Sequence, residues 1–415
     1  MDGIIRDIGL APGGEQKIEW AKRNAPLLRQ IEDDFRVERP FADLTVALSI
    51  HLEAKTAYLC RVLAAGGARM IITGSNPLST QDDVAAALAA GGLTVFAVHG
   101  CTAEEYDANI ARVLSAKPNI IIDDGGDLVG LIHSKFSKLI PDIIGGCEET
   151  TTGIRRLHAM VKSGELRFPM FAVNDADCKR LFDNRYGTGQ SVFAGIDRAT
   201  NLIIAGKTVV VAGYGYCGKG VALRAKGLGA NVIVTEIDSV RAIEAAMDGF
   251  RVMPMTEAAG VGDLFITVTG NRDVIGLRHF PLMKDGVILC NAGHFDVEVN
   301  VAALRAVAVS HRASRENVES YVMPDGKVLH LLGEGRLVNL ACADGHPVEI
   351  MDMSFALQAL CAAHLVRHRN QLAPTLHPVP REIDALVASR KLASIGISID
   401  TLSAEQAEYL QSWRG

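Results

Sequence analysis

A chain of 415 residues, at about 150 residues per domain, predicts two or three domains. With 48% hydrophobic and 22% charged residues it excludes a disordered chain, which needs low hydrophobicity and high net charge. The formal net charge of −6 argues against a nucleic-acid binder, which carries a basic face. No apolar run approaches the roughly 20 residues of a membrane span.

The first residues lack the basic start and apolar stretch of a signal peptide. Eight scattered cysteines with no C-x-x-C pattern predict a reduced, cytoplasmic protein. Short β-branched runs follow at 70–73, 94–98, 119–123, 170–173, 207–212, 231–236, 264–267 and 286–290. Each is bounded by Gly, Asp or Asn and trailed by a helix-like segment, the pattern of parallel α/β sheets covered on both faces. The fold class is therefore α/β, with two doubly wound parallel-sheet domains. A polar stretch, 183–190, is a candidate hinge between them. Residues 351–368 predict a helix, prolines interrupt the chain after it, and 380–389 and 403–413 predict a short helical tail.

At 207–220 the sequence reads KTVVVAGYGYCGKG, placing Gly213, Gly215 and Gly218 as G-x-G-x-x-G between a strand and a helix. The first glycine permits the tight turn, the second lets backbone approach a pyrophosphate, and the third lets helix meet strand. The helix N-terminus then offers free N–H groups to phosphate. Glu236 ends the next strand, 23 residues after Gly213, where a carboxylate accepts from a ribose 2′-OH. That acid favours NAD over NADP. Asp238 is the weaker option for the ribose, and Arg241 lies close by.

Polar clusters fall at the ends of the strands in the first half, where ligands of open α/β sheets bind. They are 51–56, 75–82, 123–127, 148–153 and 174–184. From residues alone the reading stops at an NAD-dependent enzyme with a site rich in carboxylates, Lys and His.

Taken together, DDGGD at 123–127, EETTTG at 148–153, Lys179-x-x-x-Asp183-Asn184, AGYGYCGKG at 212–220, NAGHFDVE at 291–298 and EGRLVNLACADGHP at 334–347 resemble the S-adenosylhomocysteine hydrolase family. The match is collinear over nearly the whole chain. The resemblance implies one tightly bound NAD per subunit, which oxidises a nucleoside 3′-OH. The ketone acidifies C4′–H, homocysteine leaves by β-elimination, water adds at C5′, and the hydride returns. The net reaction is thioether hydrolysis. A homotetramer is implied as well. So is a discontinuous substrate domain (1–182 and 347–383), an NAD domain (190–346) and a C-terminal helical segment (384–415).

Residue by residue, Lys179 and Asn184 resemble the pair that handles the 3′-OH proton; a lysine needs a lowered pKa to act as base near neutrality. Asp183 resembles the acid that holds this lysine, and Glu149 the carboxylate on the ribose hydroxyls. Asp124 and His51 fall where acid–base work on C4′, sulfur and water is expected. His294 with Phe295 resembles a gate over the reaction centre. Asn339 and His346 resemble contacts to nicotinamide and base, and Met351 a wall of the base pocket. Thr150, Thr151 and Thr152 offer hydroxyls to the cofactor, with Cys217, Ala292 and Gly293 beside it. Thr56, Asn76, Ser79 and Gln81 resemble further substrate contacts. No metal site is expected. Taken singly, each has a plainer reading: DDGGD as a turn, the threonines as a helix cap, Met351 as packing, and His158, His279, His311, His364 and His368 as ordinary histidines.

Four departures stand out. The family pattern His-x-Thr-x-Glu/Gln, whose last residue accepts from the adenine 6-amino group, reads here His51-x-Glu53-x-Lys55. An ammonium has three donors and no acceptor. It suits a 6-oxo group, and Glu53 would then accept from N1–H. Hypoxanthine presents that edge and adenine its reverse, so S-inosyl-L-homocysteine is the expected substrate. S-adenosyl-L-homocysteine is the alternative, with Lys55 simply paired to Glu53. Thr188 stands where many members have cysteine, and Arg241 where Asn usually touches the cofactor. The sequence ends at Trp413-Arg414-Gly415, short of the tail whose Lys and Tyr reach a neighbouring subunit's cofactor in eukaryotic-type members. The remote alternatives are a catalytically silent NAD-binding homologue and a conventional dehydrogenase.

Overall fold

The computed structural model describes residues 3–413; Met1, Asp2, Arg414 and Gly415 lie outside the described residues. Valine, isoleucine and leucine runs become strands because both faces of each sheet are covered, and Val46, Ala47, Leu48, Val209, Val210 and Val211 are all fully buried. The first sheet has seven strands, in spatial order Leu376–Pro378, Met170–Ala172, Gly145–Glu148, Ile120–Asp123, Thr45–Ser49, Arg69–Thr73, Thr94–Phe96. Every pairing in it is parallel.

The second sheet has eight strands: Ser310–Arg315, Val318–Val322, Val328–Leu332, Val287–Asn291, Leu264–Thr267, Thr208–Ala212, Asn231–Thr235, Arg251–Val252. Only Val318–Val322 runs antiparallel to its neighbours. Both sheets reverse their strand order beside their first strand in sequence. The reversals lie between Thr45–Ser49 and Ile120–Asp123, and between Thr208–Ala212 and Leu264–Thr267. A crevice opens at such a switch point beyond the carboxyl ends of the strands, and that is where ligands bind.

All eight strands expected from the sequence form, within two residues at either end. The 20-residue helix Val348–Arg367 is long and apolar enough to cross a membrane by length and composition. Here 67% of its most apolar window is buried, because it packs inside the first domain's core with Leu28, Leu59 and Leu63. The stretch 183–190 is not an open linker. Asp183–Gly187 forms a π-helical turn that runs into the helix Thr188–Thr200, with Asp183, Asn184 and Gly187 buried. A Cβ on Gly220 would stand 1.8 Å from the Arg185 carbonyl oxygen, so the turn is pinned against the helix Tyr216–Gly227. Asp183, Asn184 and Thr188 are turned away from water, while Tyr186 and Gln190 stay exposed.

Candidate active site

The crevice of the first sheet gathers residues from six segments. His51 follows the strand Thr45–Ser49, and Asp124 follows Ile120–Asp123. His51 Nδ1 lies 2.6 Å from Ser79 Oγ, and its Nε2 lies 3.5 Å from Asp124 Oδ2. Ser75 Oγ donates to the same Asp124 oxygen at 3.0 Å. From the other domain His294 places Nδ1 3.6 Å from Asp124 Oδ1, an oxygen with no hydrogen-bond donor. A Cβ on Gly125 would stand 2.4 Å from His294 Nε2, so the gate histidine lies directly on the glycine turn. Phe295 meets its ring edge-on at 4.6 Å. Burial drives His51 down to about 4, partly opposed by Asp124, so its imidazole is neutral and able to accept a proton. The ligand atoms of His51, Asp124 and His294 lie within 4.8 Å of one another, a spacing that could also hold a cation.

A second cluster surrounds Lys179. Its ammonium donates to Asn184 Oδ1 at 2.8 Å and lies 3.2 Å from Asp183 and 3.6 Å from Glu149. Asn174 Oδ1 joins it, accepting from Asn184 Nδ2 at 3.1 Å. Burial alone would lower the lysine, but Asp183 and Glu149 outweigh it and hold Lys179 above its ordinary value. The depressed pKa expected of a lysine base is therefore not found in this state, because two carboxylates flank the ammonium. Burial would raise Asp183, but Lys179 and His346 pull it well below the usual range. Burial pushes Glu149 up to about 7 despite Lys179, and its Oε1 has no hydrogen-bond partner. Glu149 is thus the group in this cluster poised to exchange a proton near neutrality.

Two anchors of this cluster were missed from sequence. Ser354 Oγ donates to Asp183 at 2.7 Å, and Gln358 Nε2 to Glu149 at 2.6 Å. Both sit on the apolar helix Val348–Arg367, four residues apart and fully buried. Polar side chains at that spacing in an otherwise apolar helix were the available signal. His346 links the cluster to the second domain, with Nδ1 3.1 Å from Asp183 and Nε2 3.3 Å from Thr188 Oγ1. Thr188 in turn lies 3.6 Å from Cys217 Sγ.

Glu53 and Lys55 open the helix Ala54–Ala65 and are buried. Glu53 has a role the sequence reading did not give it. Its carboxylate caps the helix, accepting from the backbone N–H of Lys55 at 3.0 Å and of Thr56 at 3.3 Å. It also takes the Lys55 ammonium at 2.7 Å, whereas the Thr56 hydroxyl gives its one proton to the His51 carbonyl at 2.7 Å. With three donors on its two oxygens, its capacity for an N1–H is at most one lone pair. Lys55 additionally donates to the Asp344 carbonyl at 2.8 Å, which leaves one of its three donors.

Other expected contacts divide. Asn76 caps the short turn Pro77–Ser79, and Ser79 reaches His51. Gln81 instead accepts from Lys17 in an exposed contact, apart from the His51 cluster. Thr150 caps the helix Thr151–Ser163 by accepting from Gly153, Thr151 is exposed, and Thr152 is half-buried. Met351 lies in the first domain's core. His279 is buried, and His364 and His368 stack on each other at 3.9 Å, away from both clusters.

The dinucleotide turn has the geometry its sequence requires. Gly213 holds φ at 103°, in the left-handed region that favours glycine. A Cβ on Gly218 would stand 2.0 Å from the Gly213 carbonyl oxygen, whereas one on Gly215 would meet nothing nearer than Arg241 Nη1 at 3.7 Å. The second glycine therefore faces free space, as a pyrophosphate cradle needs. Glu236 Oε2 accepts from Tyr214 N–H at 2.7 Å, locking the turn, while Oε1 takes the N–H of Ile237. Asp238 is occupied as the cap of the helix Ser239–Met247. In the same domain, buried Asn339 donates to Ser191 Oγ at 3.2 Å and keeps an unpartnered Oδ1. Ala292 and Gly293 are buried, and a Cβ on Gly293 would stand 1.8 Å from Glu298 Oε1. The cradle, its acid and an orphaned amide oxygen together fit NAD.

Comparison with known proteins agrees with this geometry. Residues 2–137 match the model for S-adenosyl-L-homocysteine hydrolase, and residues 184–345 match that family's NAD binding domain. An S-inosyl-L-homocysteine hydrolase from Methanocaldococcus jannaschii is 57% identical over 410 residues, covering 99% of each chain. An adenosylhomocysteinase from Thermococcus kodakarensis is 56% identical over 412 residues, covering 99% of this chain and 98% of its own. With one crevice built for NAD, another lined by three histidines, a lysine and three carboxylates, and relatives of this likeness along its whole length, the chain belongs to the S-adenosyl-L-homocysteine hydrolase family.

Proposed function

We propose that this protein hydrolyses the thioether of S-inosyl-L-homocysteine, giving inosine and L-homocysteine. The observation that carries the choice of base is the buried Lys55 ammonium, which keeps one donor after serving Glu53 and Asp344. A 6-oxo group accepts that donor in a charge-assisted bond. A 6-amino group would oppose donor to donor in a buried site, costing about 1–3 kcal/mol. The two relatives carry different substrate names at nearly equal identity, so the base edge decides. A reading as S-adenosyl-L-homocysteine hydrolase draws support from the 2.7 Å pairing of Lys55 with Glu53, which partly satisfies the ammonium without any substrate.

Bound NAD, held by the Gly213–Gly218 turn, Glu236 and Asn339, supplies a hydride acceptor for the nucleoside 3′ carbon. The 3′-OH must lose its proton as the hydride leaves. Lys179 with Asn184 takes up that task, but at rest it is an ammonium and must first pass a proton on. The free Oε1 of Glu149, 3.6 Å away, is the acceptor within reach. On the other side of the site, neutral His51 serves as base and proton carrier, oriented by Ser79 and by Asp124. Asp124 holds His51 and His294 from opposite domains, so the acid–base groups assemble only when the two halves meet. This contact also keeps water away until the addition step. The eight free cysteines support a reducing, cytoplasmic setting, and we extend the proposal to a homotetramer.

Free-thiol release from S-inosyl- and S-adenosyl-homocysteine by NAD-loaded protein tests the proposal. An inosyl preference of about tenfold or more in kcat/KM is expected from one buried charge-assisted bond. An adenosyl preference would mean that Lys55 does not meet the 6-position.

A further inference from the structure

Beside the catalytic carboxylates lies a second carboxyl pair that the chemistry above does not use. Asp123 and Glu148 end neighbouring parallel strands in register with each other. Both are fully buried. Asp123 accepts from the backbone N–H of Asp124 with one oxygen, at 3.1 Å, and of Val129 with the other, at 2.9 Å. Glu148 engages only Oε1, which accepts from Gly125 N–H at 2.9 Å and from the Thr150 N–H and Oγ1 at 3.0 Å each. Its Oε2 has no partner. Two adjacent buried carboxyls with only uncharged donors do not both ionise at neutral pH. Burial, with repulsion from Asp127, raises Asp123 to about 7, and burial, with repulsion from Asp123, raises Glu148 well above its ordinary value. The oxygen with no donor is the one least able to bear charge, so the shared proton belongs on Glu148.

The engaged oxygen sits at a junction. Gly125 belongs to the turn that presents Asp124, and Thr150 follows Glu149. A Cβ on Gly153 would stand 2.0 Å from the Glu148 carboxyl carbon, so the chain on the far side is also moulded to it. We infer that Glu148 is a neutral positioning residue, whose protonated carboxyl ties the Asp124 turn to the Glu149 turn and so sets the spacing of the two catalytic carboxylates. The inference rests on the hydrolase reading for its kinetic consequence but not for its chemical state.

The test uses NAD-loaded protein and two variants. Infrared difference spectra of substrate-free Glu148→Gln against wild type should show loss of a protonated-carboxyl band at neutral pH. Glu148→Asp, which draws the carboxyl back by one methylene, should lower kcat on the order of 10²-fold with little change in KM, as a misplacement of about 1 Å does. Glu148→Gln should restore kcat to within about threefold of wild type, because its amide oxygen serves the same three donors without charge. Absence of the band change, or a Gln variant as impaired as the Asp variant, or an Asp variant with unchanged kcat, would each overturn the inference. Failure of the hydrolase reading looks different: wild type releases no thiol, while the infrared result stands.

Discussion

Replacing Lys55 by Gln tests the reading of the base pocket most directly. The lysine contributes one charge-assisted donor to a 6-oxo group, a contact of about 1.5–3 kcal/mol. A glutamine amide presents either an oxygen or an N–H₂, so it serves a 6-oxo or a 6-amino group equally well. The ratio of kcat/KM for inosyl over adenosyl substrate should therefore fall by about 10–10²-fold. The fold should survive. Breaking a buried ion pair costs about 3–5 kcal/mol when a bare charge is left behind. Glu53, however, keeps the donors of Lys55 N–H and Thr56 N–H, and the amide supplies a third. A loss of about 1–2 kcal/mol is expected, visible as a lower Tm. Because both substrates are measured on one variant, that loss cancels in the ratio. A ratio unchanged within about threefold, in a folded and NAD-loaded variant, would refute the assignment of Lys55 to the 6-position.

Burial raises Glu149 to about 7, so its ionisation should bend the kcat–pH profile near that value, and Glu149→Gln should remove the bend. The same shift bears on stability. The folded protein holds this proton up to about pH 7 while the unfolded chain releases it near 4.3, so this group's contribution declines as pH rises between those values. Urea midpoints across that range should decline less in Glu149→Gln than in wild type. Gly218→Ala should abolish NAD binding measured by calorimetry, since its methyl would stand 2.0 Å from the Gly213 carbonyl oxygen. Asp384 accepts from the backbone N–H of Asp177 at 2.8 Å and of Cys178 at 2.9 Å, holding the turn that carries Lys179. Asp384→Ala should cost about 1 kcal/mol in denaturant unfolding, as lost caps do, and should lower kcat more than it changes KM.

The second domain was the more legible half. Its fingerprint couples a composition (three glycines and a distant acid) to a backbone geometry that tolerates no other residues. In the first domain the central strand Gly145–Glu148 carries no β-branched residue, so its burial comes from neighbours and its sequence gave no strand signal. The edge strand Leu376–Pro378 contains a proline, which is tolerated only where no ladder partner needs the missing N–H. The edge strand Ser310–Arg315 went unread because an exposed polar strand resembles a surface loop. Within the site, the family motifs named His51, Asp124, Lys179 and Asp183, and the fold brings them into two clusters, His51 with Asp124 and Lys179 with Asp183. What they could not show was charge balance. Lys179 lies between two acids brought from separate segments, and Glu53 spends its oxygens on a helix cap. Both facts depend on contacts the chain makes only once folded.

The return of the chain to the first sheet has a consequence for biosynthesis. The strand Met170–Ala172 pairs with Leu376–Pro378, and the buried helix Val348–Arg367 lies between them in sequence. A ribosome adding roughly 5–20 residues per second needs about 10–40 s to make the intervening 200 or so residues. During that interval the nascent first half has no cover for the face that this helix will occupy, while the whole NAD domain emerges and can close on itself. The inserted domain is thus free to mature before its host, and the host is the half whose core stays incomplete until the helix Val348–Arg367 is made.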